Sequence, residues 1–206
     1  MLQIETILKQ LAAIRPVFHS EHDFKFAIAW TIQTLFPSAR VRLEVNIGEI
    51  DKKEYIDIWI RNEDQFWALE LKYKTRDMVI LSDDETFRLS NHGAQDCGRY
   101  DYIKDITRLE RFTGKPNTTG YAVMLTNDDS YWRATNNSLT VDSDFRIHEG
   151  RTLQGILKWG AGASDGTMKG RTAPLILKNA YPLHWADYSE LPENGPNKFR
   201  YLLLKI

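Results

Sequence analysis

Tyr55-Ile56-Asp57-Ile58-Trp59-Ile60 and Ala68-Leu69-Glu70-Leu71-Lys72-Tyr73-Lys74 are the stretches whose reading decides the fold. Both alternate with a period of two, the pattern of extended strands whose successive side chains point to opposite faces. Ile56, Ile58 and Ile60 share one face of the first strand, which turns Asp57 the other way together with Tyr55 and Trp59. In the second strand Leu69, Leu71 and Tyr73 share a face, and Glu70, Lys72 and Lys74 take the opposite one. The short polar connection of residues 61–66 predicts an antiparallel hairpin turning on Glu63-Asp64, a register that sets Asp57 against Glu70. Directly opposed side chains have Cβ atoms about 5 Å apart, where two like charges are destabilising unless something neutralises them. A divalent cation is the natural remedy. The bland alternative is a solvated sheet face on which acids and lysines happen to alternate, but Tyr55 and Trp59 flank Asp57 on that same face.

Working outward, residues 1–14 place Ile4, Leu8 and Leu11 on one side of an amphipathic helix that lacks the form of a signal peptide. Ser20 is a good N-cap for a second helix with Glu21 and Asp23 in its first turn and an apolar stripe of Phe24, Ile28, Ile32 and Leu35. Trp30, inside that helix, reads as a core residue. Strands are expected at 40–46, 54–61 and 66–74, a loop at 75–90, a long helix at 95–112 with Tyr102, Ile106 and Leu109 on one face, and a buried strand at 120–126. Beyond residue 127 the pattern predicts short strands at 145–147 and 153–158, a mobile glycine loop at 160–166 without the Gly-Lys-Ser/Thr of a phosphate-binding loop, and a final strand at 199–206. The expected division is a core over 1–126 and an extension over 127–206 that packs on it.

A length of 206 residues suits one domain with a substantial core. No apolar run approaches the roughly 18 residues that span a bilayer, so the expectation is a cytoplasmic protein with no membrane partner. The single cysteine, Cys97, excludes an internal disulfide and a multi-cysteine zinc site, and reads as a small core residue. A net charge of −1 argues against a broad electrostatic footprint for nucleic acid, so any such contact is local. Arg99, Lys104, Arg108 and Arg111 stud the long helix, but Asp101, Asp105 and Glu110 partly cancel them, the usual look of a solvated face.

The order helix with an early Glu, strand, strand with Asp57, strand with Glu70-Leu71-Lys72, helix, strand resembles the PD-(D/E)xK nuclease superfamily over roughly residues 20–126. The resemblance implies an α/β (α+β) restriction-endonuclease-like core, a central mixed β-sheet flanked by helices, followed here by a β-rich C-terminal extension. It also implies metal-dependent phosphodiester hydrolysis, with an endonuclease favoured over an exonuclease and DNA favoured over RNA as the nucleic acid substrate. On this resemblance Asp57, Glu70 and the Leu71 carbonyl would hold Mg²⁺ or Mn²⁺. Lys72 would position the attacking water and stabilise the transition state, and Glu21 would match the acid many members carry on the helix before the sheet, binding a second ion or orienting a ligand water. Gln95 fits a glutamine that some branches carry in the following helix, although Arg99 stands where those branches have tyrosine. Ile56 stands where many members have proline. Many relatives act as dimers, and with no basic stripe, affinity calls for a homodimer, a partner subunit or a structured substrate.

Other residues carry less. His19 and His22 lie three apart near Glu21, but no matching further ligand set accompanies them for zinc. Tyr131 and Trp132 suit either stacking on unpaired bases or anchoring a loop. Two rivals from other classes stand beside the nuclease: a catalytically silent relative acting as a binding or assembly module in a defence or repair complex, and a sugar- or ligand-binding β-rich protein suggested by 12% aromatic residues.

Overall fold

The computed structural model describes residues 2–48, 53–135, 139–192 and 195–206. Helices α1 (Ile4–Ile14) and α2 (Glu21–Leu35) lead into an antiparallel run of β1 (Arg40–Asn46), β2 (Tyr55–Asn62) and β3 (Gln65–Lys74). A small hairpin, β4 (Met78–Ser82) and β5 (Glu85–Leu89), precedes the long helix α3 (Gln95–Phe112), which returns the chain to β6 (Thr118–Thr126). The remainder forms β7 (Thr152–Leu157), the single turn α4 (Asp165–Met168), β8 (Leu175–Pro182), β9 (Trp185–Glu190) and β10 (Lys198–Lys205).

The central sheet is six-stranded and mixed, in the order β1-β2-β3-β6-β10-β9. β3 and β6 are parallel, joined by the α3 crossover, and every other neighbouring pair is antiparallel. Helices α1 and α2 cover one face, where Ile4, Leu8, Leu11, Phe24, Ile28 and Ile32 pack against Ile58, Leu69, Leu71 and Val123. Helix α3 and the β7–β8 hairpin cover the other, with Tyr102, Ile103, Ile106 and Leu109 against Ala68, Ala122, Met124 and Leu202. Burial of these side chains supplies the main stabilisation, at about 1.5 to 3 kcal/mol for each fully enclosed large aliphatic group.

The register between β2 and β3 is the expected one, with Ile58 opposite Leu69 and Asn62 opposite Gln65 around the Glu63-Asp64 turn. Three expectations are corrected. Residues 75–90 form the β4–β5 hairpin, whose turn residues Asp83 and Asp84 both adopt positive φ, at 50° and 63°. Its inward side chains Met78, Ile80, Phe87 and Leu89 join the α1/α2 core. Residues 145–147 are not a strand, because Ser143–Phe145 forms a 3-10 turn instead. Trp30 is 66% exposed: the buried stripe of α2 runs through Phe24, Ala27, Ile28 and Ile32, and Trp30 stacks with Phe26 on the outward side. Cys97 is half-buried, its thiol 3.6 Å from the Thr167 carbonyl oxygen.

Residues 127–206 complete the sheet. β10 pairs with β6 along its length, and β9 is fastened to the link between α1 and α2 by Tyr188 Oη and Ser189 Oγ, which donate to the carbonyls of Arg15 and Pro16 at 2.9 and 2.6 Å. On the other face the buried Glu110 carboxylate of α3 accepts the backbone N–H groups of Lys178 and Asn179 and the Tyr181 hydroxyl, pinning β8 to the helix. Among the described residues no helix is long and apolar enough to cross a membrane.

Candidate functional site

The ladder between β2 and β3 runs from Asn62/Gln65 to Ile58/Leu69 and stops. Beyond it the Asp57 carboxylate takes over: Oδ2 accepts the Leu71 N–H at 2.8 Å. The N–H and C=O of one strand residue point toward the same neighbouring strand, so the Leu71 carbonyl faces the same gap, with Lys72 Nζ 3.4 Å away. Asp57 also marks a change of face in β2. Ile58 and Ile60 belong to the α1/α2 core, but Ile56 packs on the α3 side, which corrects the expectation that all three share a face. The cause lies in β1, where Glu44 has φ 52° and the Glu44–Asp57 pair is missing from an otherwise continuous register. Such an irregularity re-aims neighbouring side chains, and here it turns Asp57 into the gap between strands.

Around that gap lies a cleft of about 770 Å³ whose lining includes Asp57, Glu70, Lys72, Tyr55, Lys104 and Arg108, closed on the far side by residues 170–175. Glu70 is 2% exposed and its Oε1 accepts from Arg108 Nη1 at 2.6 Å. Arg108 also donates to Asp105 Oδ1 at 2.7 Å and to the Tyr55 carbonyl at 2.7 Å, and its Nε lies 3.6 Å from Glu54. Lys72 Nζ is paired with Asp105 Oδ2 at 2.5 Å. Across the strand, Lys25 of α2 pairs with Asp57 Oδ1 at 2.6 Å and with Glu44.

This arrangement shifts several protons. Burial pushes the Glu70 carboxyl well up, and Asp105 and then Asp57 add to it against the pull of Arg108. Burial likewise raises Asp105 despite Lys72 and Arg108. Burial acts to lower the Lys72 ammonium, but Asp105, Glu21 and Asp57 outweigh it and hold the group above the ordinary lysine value.

Of the residues expected from sequence, Asp57, Glu70, Leu71 and Lys72 come together. Glu21 stands on the Lys72 side, where it accepts the Tyr73 N–H through Oε2 at 2.9 Å, and it does not line the cleft. Gln95 is not brought there either: its amide donates to Asp128 Oδ2 at 2.9 Å, at the start of α3. His19 stacks on Phe87 and pairs with Glu85 at the β5 edge. Asp105, Arg108 and Lys25 were missed. The expected solvated charge face of α3 is corrected, since Arg99, Asp105 and Glu110 are buried. The helix phase carries the signal: Asp105 falls between Tyr102, Ile106 and Leu109 on the apolar stripe, a place where a charge must be partnered.

The described residues hold no group of three or more His, Cys, Asp and Glu side chains arranged for a metal ion. Magnesium and manganese sites commonly use only one or two carboxylates and keep several waters. Asp57 and Glu70, with the Leu71 carbonyl turned to the same gap, are hard oxygen donors of that kind. The donor set fits a divalent ion, at the cost of displacing the Arg108 contact to Glu70 and the Lys25 contact to Asp57. Comparison with protein-family models, with curated proteins and with solved structures found no match to this chain.

Proposed function

We propose that the protein is a divalent-metal-dependent nuclease that hydrolyses phosphodiester bonds, with DNA favoured as substrate. The observation that carries the reading is the meeting of Asp57, Glu70 and Lys72 where β2 and β3 part, around a backbone carbonyl that the ladder leaves free to face the gap. The order α2-β1-β2-β3-α3-β6, with the β4–β5 hairpin inserted before α3, supports the reading by its likeness to the αβββαβ succession of restriction-endonuclease-like cores.

Asp57, Glu70 and the Leu71 carbonyl would hold Mg²⁺ or Mn²⁺, which would neutralise charge developing on the phosphate. Lys72 shares a strand face with Glu70 and lines the same cleft. Its raised pKa keeps it an ammonium at neutral pH, a point charge able to orient water and stabilise a pentacoordinate phosphorane dianion but not to act as a general base. Lys104, Arg108 and Arg111 follow one another along the cleft side of α3 and would contact the phosphates of a bound strand. That local patch fits an overall charge of −1, and a second copy or a partner subunit would extend it.

The second reading is a silent member of the same fold, acting as a binding or assembly module. It draws on Lys25 and Arg108, which already sit against Asp57 and Glu70. Incubation of plasmid, single-stranded DNA and RNA with the protein and Mn²⁺ separates the two. The nuclease reading expects cleavage that Glu70→Ala and Lys72→Ala abolish while remaining folded; no cleavage of any of the three by the native protein favours the silent module.

A further inference from the structure

A second polar cleft, about 610 Å³, opens where β3 and β6 end. These strands are the parallel pair of the central sheet, and ligands of open α/β sheets gather outside the carboxyl ends of parallel strands. The volume lies within the roughly 300–1,000 Å³ typical of small-ligand sites. Its floor is constructed. Asn127, directly after β6, is 2% exposed; its Oδ1 accepts the Arg76 N–H at 2.8 Å and its Nδ2 donates to the Pro196 carbonyl at 2.9 Å. One buried amide thus ties both lips of the cleft to the sheet.

Trp132 forms part of the wall, half-buried and held at 5.8 Å from the Trp185 ring with the Arg200 guanidinium over it, also at 5.8 Å. Three cations ring the opening: the side chains of Arg76, Arg133 and Lys198 are 53%, 75% and 43% exposed. Asp129 lies between two of them, 3.8 Å from Arg76 and 3.2 Å from Arg133, and restrains both guanidinium groups without burying either. An indole in the wall, a buried amide in the floor and partly exposed cations at the rim suit a planar base and its phosphate. A paired base offers no free face to such an indole.

We propose that this cleft binds a nucleotide with an unpaired base, stacked on Trp132 with its phosphate among Arg76, Arg133 and Lys198. The site shares no residue with the Asp57/Glu70 cleft and does not rest on the nuclease reading. The ligand is either a free nucleotide or the phosphorylated end of a single strand, and both present the same chemistry.

Titration of the full chain with nucleoside monophosphates, nucleoside triphosphates and a 5′-phosphorylated tetrathymidylate, by calorimetry and tryptophan fluorescence, tests it. Binding is expected that weakens about tenfold in Trp132→Ala, survives in Trp132→Phe, and loses part of its salt dependence in Arg133→Gln and Lys198→Gln. Arg88→Gln, at an exposed position of β5, should leave it unchanged. Equal affinity for free nucleotides and the oligonucleotide identifies a free nucleotide as ligand, and much tighter binding of the oligonucleotide identifies a strand end; both support the site. Binding of none of these probes, or binding indifferent to Trp132 and Arg133, overturns it.

Discussion

The Asp57 carboxylate accepts the Leu71 N–H at 2.8 Å, standing in for a ladder hydrogen bond at the point where β2 leaves β3. The same carboxylate holds the buried Lys25 ammonium at 2.6 Å. Asp57→Ala removes both at once, leaving an unpaired donor and a lysine with only Glu44, and should cost roughly 2 to 4 kcal/mol in denaturant unfolding. Asp57→Asn keeps an acceptor for Leu71 and should cost less. Equal losses for the two variants would contradict the capping role.

Glu70 gives stability a pH signature. Its carboxyl is raised in the folded state by burial first and Asp105 second, so the fold holds the proton more tightly than the unfolded chain does. That contribution is complete below the unfolded value of about 4.3 and is lost as the pH climbs through the raised folded value. Glu70→Gln has no such proton to lose. Its stability relative to the native protein should rise steadily from pH 5 to pH 9 in the absence of metal, reaching roughly 1 to 3 kcal/mol. A pH-independent difference would count against the shift.

Lys72 and Asp105 form a pair in which the acid is only 3% exposed. Lys72→Met strips a partner from a buried acid and should destabilise by about 3 kcal/mol. Adding Asp105→Asn should recover much of that loss, giving a coupling energy of about 1 kcal/mol or more in a double-mutant cycle. Additive losses would show that the two side chains act independently.

Gly98 looks improvable by helix propensity, since alanine is favoured there by up to about 1 kcal/mol. The packing says otherwise: a Cβ at this position would meet Tyr131 Oη at 2.3 Å, and Tyr131 is 1% exposed. Gly98→Ala should therefore destabilise by about 1 to 3 kcal/mol. Tyr131→Phe moves the nearest ring atom to 3.3 Å from that Cβ, so the double variant should fold better than Gly98→Ala alone. Thermal melts of the three variants decide it.

The β2–β3 hairpin was legible because the alternation of Leu69, Leu71 and Tyr73 and the short Glu63-Asp64 turn leave one register that buries the apolar set. Helix α3 was legible to its ends from its apolar stripe. The β4–β5 hairpin escaped because its turn puts Asp83 and Asp84, rather than the usual Asn-Gly or Asp-Gly, in left-handed conformations. The face change at Asp57 depends on the backbone of Glu44 in a neighbouring strand, and no local pattern in β2 encodes it. Lys25 and Arg108 were hidden for a related reason: each gains its meaning from an acid more than 30 residues away in sequence, Asp57 and Glu70 respectively.

Whether Asp57 and Glu70 share a divalent ion is decided by calorimetric titration of Mn²⁺ into the native protein, Asp57→Asn and Glu70→Gln. Saturable binding of one ion or more to the native protein is expected, with release of protons near neutral pH as Glu70 ionises, and loss of that binding in both folded variants. No binding to the native protein, or binding that persists unchanged in both variants, would contradict it.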